Sequence, residues 1–236
     1  MTDRVPLWLQ IKQTLVAEIG PGGLAPGARL PTEAYLAERF GVNRHTVRRA
    51  LEQMSQAGLV RVEQGRGAFV ADDVIPYPVV PRTRFSEWIR RQNREPSGQV
   101  LHVREQAASA VVAAGLGVER GGRIVVMERL GLADGVPVSL GSHHFSLERL
   151  PRMLEALHDL PGVTAALKAV GVDDYLRQST RVSARLPTSV EASLLQVSRS
   201  RPVLLCENTN VDTAGQVVEF GLARYPSTRV QVIFEP

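Results

Sequence analysis

The 236-residue sequence is poor in cysteine, in lysine and in aromatic residues, and each shortage excludes something. A single cysteine, Cys206, permits no internal disulfide and no multi-cysteine metal site, which suits a reducing compartment. It lies in the apolar run Leu204-Leu205-Cys206, where a small buried hydrophobe is expected rather than a nucleophile. No apolar run approaches the roughly 20 residues that a membrane span needs. The start, Met1-Thr2-Asp3-Arg4-Val5-Pro6, has no basic-then-apolar export signal, so a cytoplasmic location without membrane contact is expected. Adjacent His143-His144 do not make a metal site, because neighbours on a strand point to opposite faces. No His, Cys or carboxylate cluster stands at ligand spacing beside them, and no metal or cofactor is expected. The composition, 44% apolar, 22% charged and 5% aromatic, is that of a globular protein and excludes a disordered tail, a collagen-like repeat or a disulfide scaffold.

What is present is arginine. All but Lys12 and Lys168 of the 28 basic residues are arginines, and the planar guanidinium fork suits bidentate capture of phosphate or carboxylate. The net charge of +4 is mild, but its placement is local: Arg39, Arg44, Arg48 and Arg49 fall in a stretch without one acidic residue. Further on, Ile75-Pro76-Tyr77-Pro78-Val79-Val80-Pro81 carries three prolines, which remove donors and fix φ. The expected organisation is a first domain over 1–74, a semi-stiff linker over 75–82 and a second domain over 83–236.

In the first domain Leu7, Ile11, Leu15 and Ile19 recur every four residues, the stripe of an amphipathic helix that Pro21-Gly22-Gly23 stops. Thr32 is a good N-cap for a second helix that buries Leu36, Ala37 and Phe40. After the break at Gly41-Val42, Asn43 caps a third helix whose inner stripe is Val47, Ala50, Leu51 and Met54 and which Gly58 ends. That stripe leaves Arg44, His45, Arg48 and Arg49 outside, at the N-terminal end. Two short β-like runs follow, Leu59–Val62 and Ala68–Val70, joined by Glu63-Gln64-Gly65-Arg66-Gly67, a tight tip presenting one cation. Three helices and such a hairpin are the plan of a winged helix-turn-helix. The positive end of the third helix would face a duplex, with Arg44 and Arg48 one turn apart for guanine edges or phosphates. Thr46 and Asn43 would add hydrogen bonds, and Arg66 would reach a neighbouring minor groove or backbone.

These residues resemble a known family. Leu30-Pro31-Thr32-Glu33, Leu36-Ala37, Gly41-Val42-Asn43-Arg44-His45-Thr46-Val47-Arg48, Ala50-Leu51 and Gly65-Arg66-Gly67-Ala68-Phe69-Val70 are similar to the GntR-type bacterial repressor domain over about 6–71. The resemblance implies recognition-helix contacts for Arg44, Thr46 and Arg48 and wing contacts for Gln64, Gly65, Arg66 and Gly67; Thr32, Glu33, Asn43 and His45 are further expected DNA-binding residues. Ala34 departs from it, since some relatives place a DNA-contacting arginine there.

The rest of the chain is mixed. Gly98–Arg104, Ile124–Leu132, Val136–His143, Val203–Val211 and Val217–Ala223 read as strands, with Asp134-Gly135 and Ala214-Gly215 as hairpin turns between successive pairs. Thr188-Ser189-Val190-Glu191 is a capping box opening a helix over Val190–Gln196, and Thr164–Ala169 is a short helix. An antiparallel α+β sheet follows, so the whole is a two-domain α+β protein.

Arg84-Phe85-Ser86, Glu128-Arg129-Leu130, Ala133-Asp134-Gly135-Val136-Pro137 and Val218-Glu219-Phe220 with Tyr225 resemble the UTRA effector-binding domain of HutC-type regulators, which has a chorismate-lyase-like fold. A narrower likeness, in Arg82-Thr83-Arg84-Phe85-Ser86, in Gly171-Val172-Asp173-Asp174-Tyr175-Leu176-Arg177 and in Thr180-Arg181-Val182, is to regulators of phosphonate uptake and breakdown. A phosphonate or phosphate is a compact dianion that wants guanidinium forks, hydroxyls and backbone N–H groups converging in a pocket. Arg84, Ser86, Arg129, Thr164, Tyr175 and Arg177 are the expected donors. Glu219 and Tyr225 match family pocket positions, the carboxylate suiting an ammonium or hydroxyl elsewhere on the ligand. Many HutC-type pockets use Arg-x-Arg on the second strand; here the run is Arg129-Leu130-Gly131, and Arg84 or Arg177 is the expected replacement.

The expected function is a ligand-responsive repressor binding a pseudo-palindromic operator as a homodimer, because one winged helix contacts few base pairs and paired half-sites lie roughly 34 Å apart. A small anionic effector would release or reposition it. A HutC-type repressor of a sugar phosphate or another small metabolite is the alternative. A chorismate-lyase-like enzyme is the remote one, since neither a nucleophile–base pair nor a phosphate-binding glycine loop is visible.

Overall fold

The computed structural model describes residues 5–19, 23–63, 65–71, 74–82, 84–160 and 162–235. Gln64, Thr83 and the Pro21-Gly22 part of the first turn lie outside the described residues. The chain divides into two compact units, Met1–Asp73 and Val74–Pro236.

The first unit has helices α1 (Leu7–Ala17), α2 (Glu33–Phe40) and α3 (Arg44–Gln56), then the hairpin β1 (Val60–Glu63) and β2 (Gly67–Val70). Each boundary has a local cause. Thr32 accepts from the Tyr35 N–H at the start of α2, and Asn43 accepts from the Thr46 N–H at the start of α3. Gly41, at φ 62°, closes α2 in the left-handed region that a side chain would strain. Ile11, Leu15, Leu36, Val47, Ala50, Leu51, Met54, Val60 and Val70 bury together in one core. The four-residue stripe of α1 holds only in part: Ile11 and Leu15 are buried, but Leu7 is 56% exposed. It sits in the first turn, before the helix passes over its neighbours.

The second unit is a six-stranded antiparallel sheet in the order β4-β5-β6-β9-β8-β7. Its strands are β4 (Pro96–Ala107), β5 (Arg123–Ala133), β6 (Val136–Ser146), β7 (Tyr175–Arg185), β8 (Val203–Asp212) and β9 (Val217–Pro226). Among the described residues five helices accompany them: α4 (Phe85–Arg91), α5 (Ala110–Leu116), α6 (Met153–Asp159), α7 (Val163–Ala169) and α8 (Ser189–Leu194). Asp134 and Gly135, both at positive φ, make the turn between β5 and β6. The two hairpins join where His143 pairs with Gly221 and Gly141 with Ala223.

The Pro-rich stretch is not a linker over its whole length. Ile75–Pro78 is a strand, β3, pairing in parallel with β10 (Val230–Ile233), and Ile75 and Tyr77 are buried. Proline is tolerated because this two-stranded pair has free edges. Strand β7 was not foreseen either. It forms the sheet's edge and is largely exposed beyond Arg177, so its sequence lacks an inward apolar alternation.

Both faces of the sheet are covered. On one, α6 and α7 pack on Val125, Met127, Phe145 and Tyr175, while α4 and β3 pack on Ala133, Val138, Cys206 and Tyr225. On the other, α5 covers Ile124 and Phe220, and Leu195, just after α8, joins Leu130, Leu140 and Val203. The first face is left open between its two apolar clusters.

Candidate functional site

Two surfaces carry the expected site residues, one in each unit. In the first unit Arg44, His45, Arg48 and Arg49 are all exposed on α3, while Val47 and Ala50 between them are buried. The N-terminal end of a helix adds its own partial positive charge to these cations. Arg48 is held in a fork: its Nε and Nη2 donate to the two carboxylate oxygens of Glu33, at 3.3 and 2.8 Å. The Arg48 guanidinium holds the Glu33 carboxyl below its ordinary value, burial acting weakly the other way. Thr32, Asn43 and Thr46 are occupied with capping; Asn43 Oδ1 accepts from both the Thr46 N–H and its hydroxyl. Across the hairpin, Gly65 and Gly67 take φ of 75° and 112° around the exposed Arg66, which ion-pairs with Glu63 and lies over the Phe69 ring.

In the second unit the open part of the sheet is a cavity of about 420 Å³, within the range of small-molecule sites. All eight residues expected to meet an effector line it: Arg84, Ser86, Arg129, Thr164, Tyr175, Arg177, Glu219 and Tyr225. Strand alternation explains the grouping, since Arg129 on β5, Arg177 on β7 and both Glu219 and Tyr225 on β9 stand on the same face of the sheet.

Three arginines enter this space in different states. The Arg84 guanidinium stacks on the Tyr175 ring at 3.6 Å and donates to the Tyr175 carbonyl at 3.2 Å. Arg177 donates to the Tyr77 hydroxyl at 2.6 Å and towards Asn210 Oδ1 at 3.4 Å. Arg129, half-buried on β5, touches the Phe85 ring at 5.5 Å and, among the described residues, has no hydrogen bond or ion pair. Burial pushes its pKa below the ordinary value. A half-buried cation without a partner is costly, and an anion would remove the cost.

Glu219 is 4% exposed yet stays charged. Burial opposes its ionisation, but the His143 Nδ1 at 2.5 Å, the Asn210 Nδ2 at 2.7 Å and the nearby Arg177 hold its carboxyl below the ordinary value. The Thr164 and Tyr175 hydroxyls are 3.0 Å apart, and burial pushes the Tyr175 hydroxyl up to about 12. Tyr77, Trp88 and Tyr225 close one wall, their ring centroids 4.8 to 5.9 Å apart.

The structure resolves the fate of the missing arginine at Gly131. A Cβ there would come within 2.4 Å of Ser139 Oγ and 2.7 Å of the Phe85 ring, so that space is already filled. Neither Arg84 nor Arg177 is idle in its place, as both have protein partners. The sequence reading missed Tyr77, assigned to the linker, and Ser139, Asn208 and Asn210, polar residues on strands without any distinguishing spacing. It also missed His143, which was weighed only as a metal ligand. His144, next to it, turns to the opposite face, where its Nδ1 meets the Phe220 carbonyl at 2.9 Å.

A winged helix joined to a sheet with a charged cavity defines a ligand-responsive DNA-binding regulator. Residues 7–70 match the model of the bacterial regulatory proteins, gntR family, and residues 91–231 match the UTRA domain; the chain belongs to the GntR family, in its UTRA-containing, HutC-type branch. It is 38% identical over 232 residues to an uncharacterized HTH-type transcriptional regulator of Rhizobium meliloti, covering 98% of this chain and 95% of that one. To the probable transcriptional regulator PhnF of Escherichia coli it is 34% identical over 188 residues, 78% of this chain and 75% of the other. Among solved structures, PhnF from Mycobacterium smegmatis superposes with a TM-score of 0.62 at 24% identity, over 98% of both chains, and shares the fold. These relatives are transcriptional regulators, not enzymes. Among the described residues no helix is long and apolar enough to cross a membrane.

Proposed function

We propose that this protein is a cytoplasmic homodimeric repressor of genes for phosphonate uptake and breakdown, released from or repositioned on its operator by a small anionic effector. The observation that carries the reading is the Arg129 guanidinium, without a hydrogen bond or ion pair among the described residues, inside a cavity that also holds Arg84 and Arg177. The similarity to PhnF of Escherichia coli supports the choice of a phosphonate or related phosphate.

On DNA, Arg44 and Arg48 read base edges or phosphates in the major groove, with Asn43, His45 and Thr46 beside them. Thr32 and Glu33 stand at the neighbouring helix start. Gln64, Gly65, Arg66 and Gly67 bring the wing to the adjacent backbone or minor groove. In the cavity Arg129 takes the anionic group, Arg84, Ser86, Thr164, Tyr175 and Arg177 supply further donors, and Glu219 and Tyr225 meet the rest of the ligand. The effector changes DNA affinity only by binding one arrangement of the dimer better than the other.

The test is an electrophoretic mobility assay on fragments that the purified protein selects from its own genome. Methylphosphonate or 2-aminoethylphosphonate should weaken retention, and identical retention with every phosphonate tried overturns the phosphonate assignment. Release by a sugar phosphate alone would establish the alternative sensor.

A further inference from the structure

We propose that His143 is a ligand-contacting residue of the cavity, fixed by Glu219 so that its Nε2 faces the bound anion, and that it takes up a proton when the anion docks. This rests on the reading of the cavity as an anion site, and it adds a proton to what that site recognises.

The geometry comes from three strands. Glu219 on β9 contacts His143 Nδ1 on β6 at 2.5 Å, and its second oxygen accepts from Asn210 of β8 at 2.7 Å. With the carboxylate ionised, Nδ1 carries the hydrogen and the other ring nitrogen is the free one. That nitrogen lies over the cavity floor: a Cβ built on Gly141 would stand 2.8 Å from His143 Nε2. Glycine at 141 is therefore what leaves the ring its place. His143 lines the cavity with 28% of its side chain accessible, whereas Glu219 retains 5%.

Other charged and titratable groups face this pair from the surrounding elements. Arg84 beside α4, Arg129 on β5 and Arg177 on β7 stay cationic, and Tyr175 and Tyr225 are pushed upward by burial. Glu87 and Arg90 line the cavity from the exposed side of α4, Tyr77 from β3. His144 points to the opposite face, and burial lowers its pKa. Among the described residues lining the cavity, His143 supplies the imidazole, a side chain that can either accept or donate at its free nitrogen. An anion docked at Nε2 brings a negative charge to the side of the ring opposite Glu219, and a proton on Nε2 lets the ring bond it. Neutral Nε2 would accept a hydrogen bond from a ligand hydroxyl or ammonium; protonated, it donates to an oxyanion.

Sulfate is the probe, because its charge is constant across this pH range. Titration calorimetry on the full-length protein, in two buffers of different ionisation heat, counts protons taken up per sulfate. The expected result is about one proton taken up where binding weakens, with affinity falling up to about tenfold per pH unit. His143→Gln should bind sulfate more weakly at pH 6 and with no pH dependence. The wild-type proton count needs no variant, so a His143→Gln protein that fails to fold does not stop the test. Sulfate binding without proton uptake, or unchanged binding by His143→Gln, overturns the role of His143 while leaving the anion site standing. No sulfate binding by the wild type, even at pH 6, overturns the anion site itself.

Discussion

Two arginines separate the roles in this molecule by what surrounds them. Arg48 is exposed and already aligned by a carboxylate, while Arg129 is half-buried and, among the described residues, has no hydrogen bond or ion pair. Alanine at Arg44 or at Arg48 should each cost about 1–3 kcal/mol of specific operator binding, measured by titration against specific and unrelated duplexes. Arg66→Ala should weaken both duplexes alike, because a wing contact to backbone carries little sequence information. An unchanged footprint in both recognition-helix variants would remove α3 from the interface. Arg129→Ala should abolish the thermal shift produced by the anion without lowering the melting temperature of the free protein, since it removes a half-buried cation that has no hydrogen bond or ion pair among the described residues.

At the scale of elements, polar side chains decide where helices begin and how α8 is fastened. Thr188 and Glu191 cap α8 reciprocally, and Glu191 also takes a two-pronged bond from Arg185, at 2.7 Å on each oxygen. The Arg185 bond outweighs burial and brings the Glu191 carboxyl down to about 2. A carboxylate whose folded pKa is depressed stabilises the fold above its unfolded value of about 4.5. That stability is lost as pH falls from there towards about 2. Glu191→Gln should therefore lower the melting temperature of the second unit at pH 7 and narrow its gap to the wild type at pH 3. A gap independent of pH would mean that packing, not charge, is lost. In the first unit, Asn43→Ala removes the α3 cap and should cost about 1 kcal/mol by denaturant unfolding.

At the scale of the whole molecule, Arg224 shows how one strand serves two tasks. It bonds Ser142 and Glu128, each at 2.8 Å, and stands 3.3 Å from Glu191 on the face away from the cavity, while its neighbour Tyr225 lines the cavity. The helix that covers one side and the ligand that enters the other are thus anchored on adjacent residues of β9. Each unit has its own buried core, so operator binding and anion binding are separately measurable. Retention of operator fragments should fall steeply with salt, because each phosphate contact releases a counterion.

The caps at Thr32, Asn43 and Thr188, the glycine-flanked Arg66 and the turn at Asp134-Gly135 were legible because each depends on residues a few positions apart. The same is true of α3, whose buried and exposed residues alternate with the helical period. The chain order alone therefore determined a winged helix followed by an antiparallel sheet with arginines at known places. It did not contain the pairing of β6 with β9, which brings His143 to Glu219 across 76 positions of sequence. Nor did it contain the burial of Tyr77 in a stretch whose prolines suggested a free connector. Those depend on contacts between distant segments, and a side chain's environment, unlike its type, exists only after the segments have packed. Which arginine lacks a partner, and which histidine a buried carboxylate holds, were decided by tertiary structure for that reason.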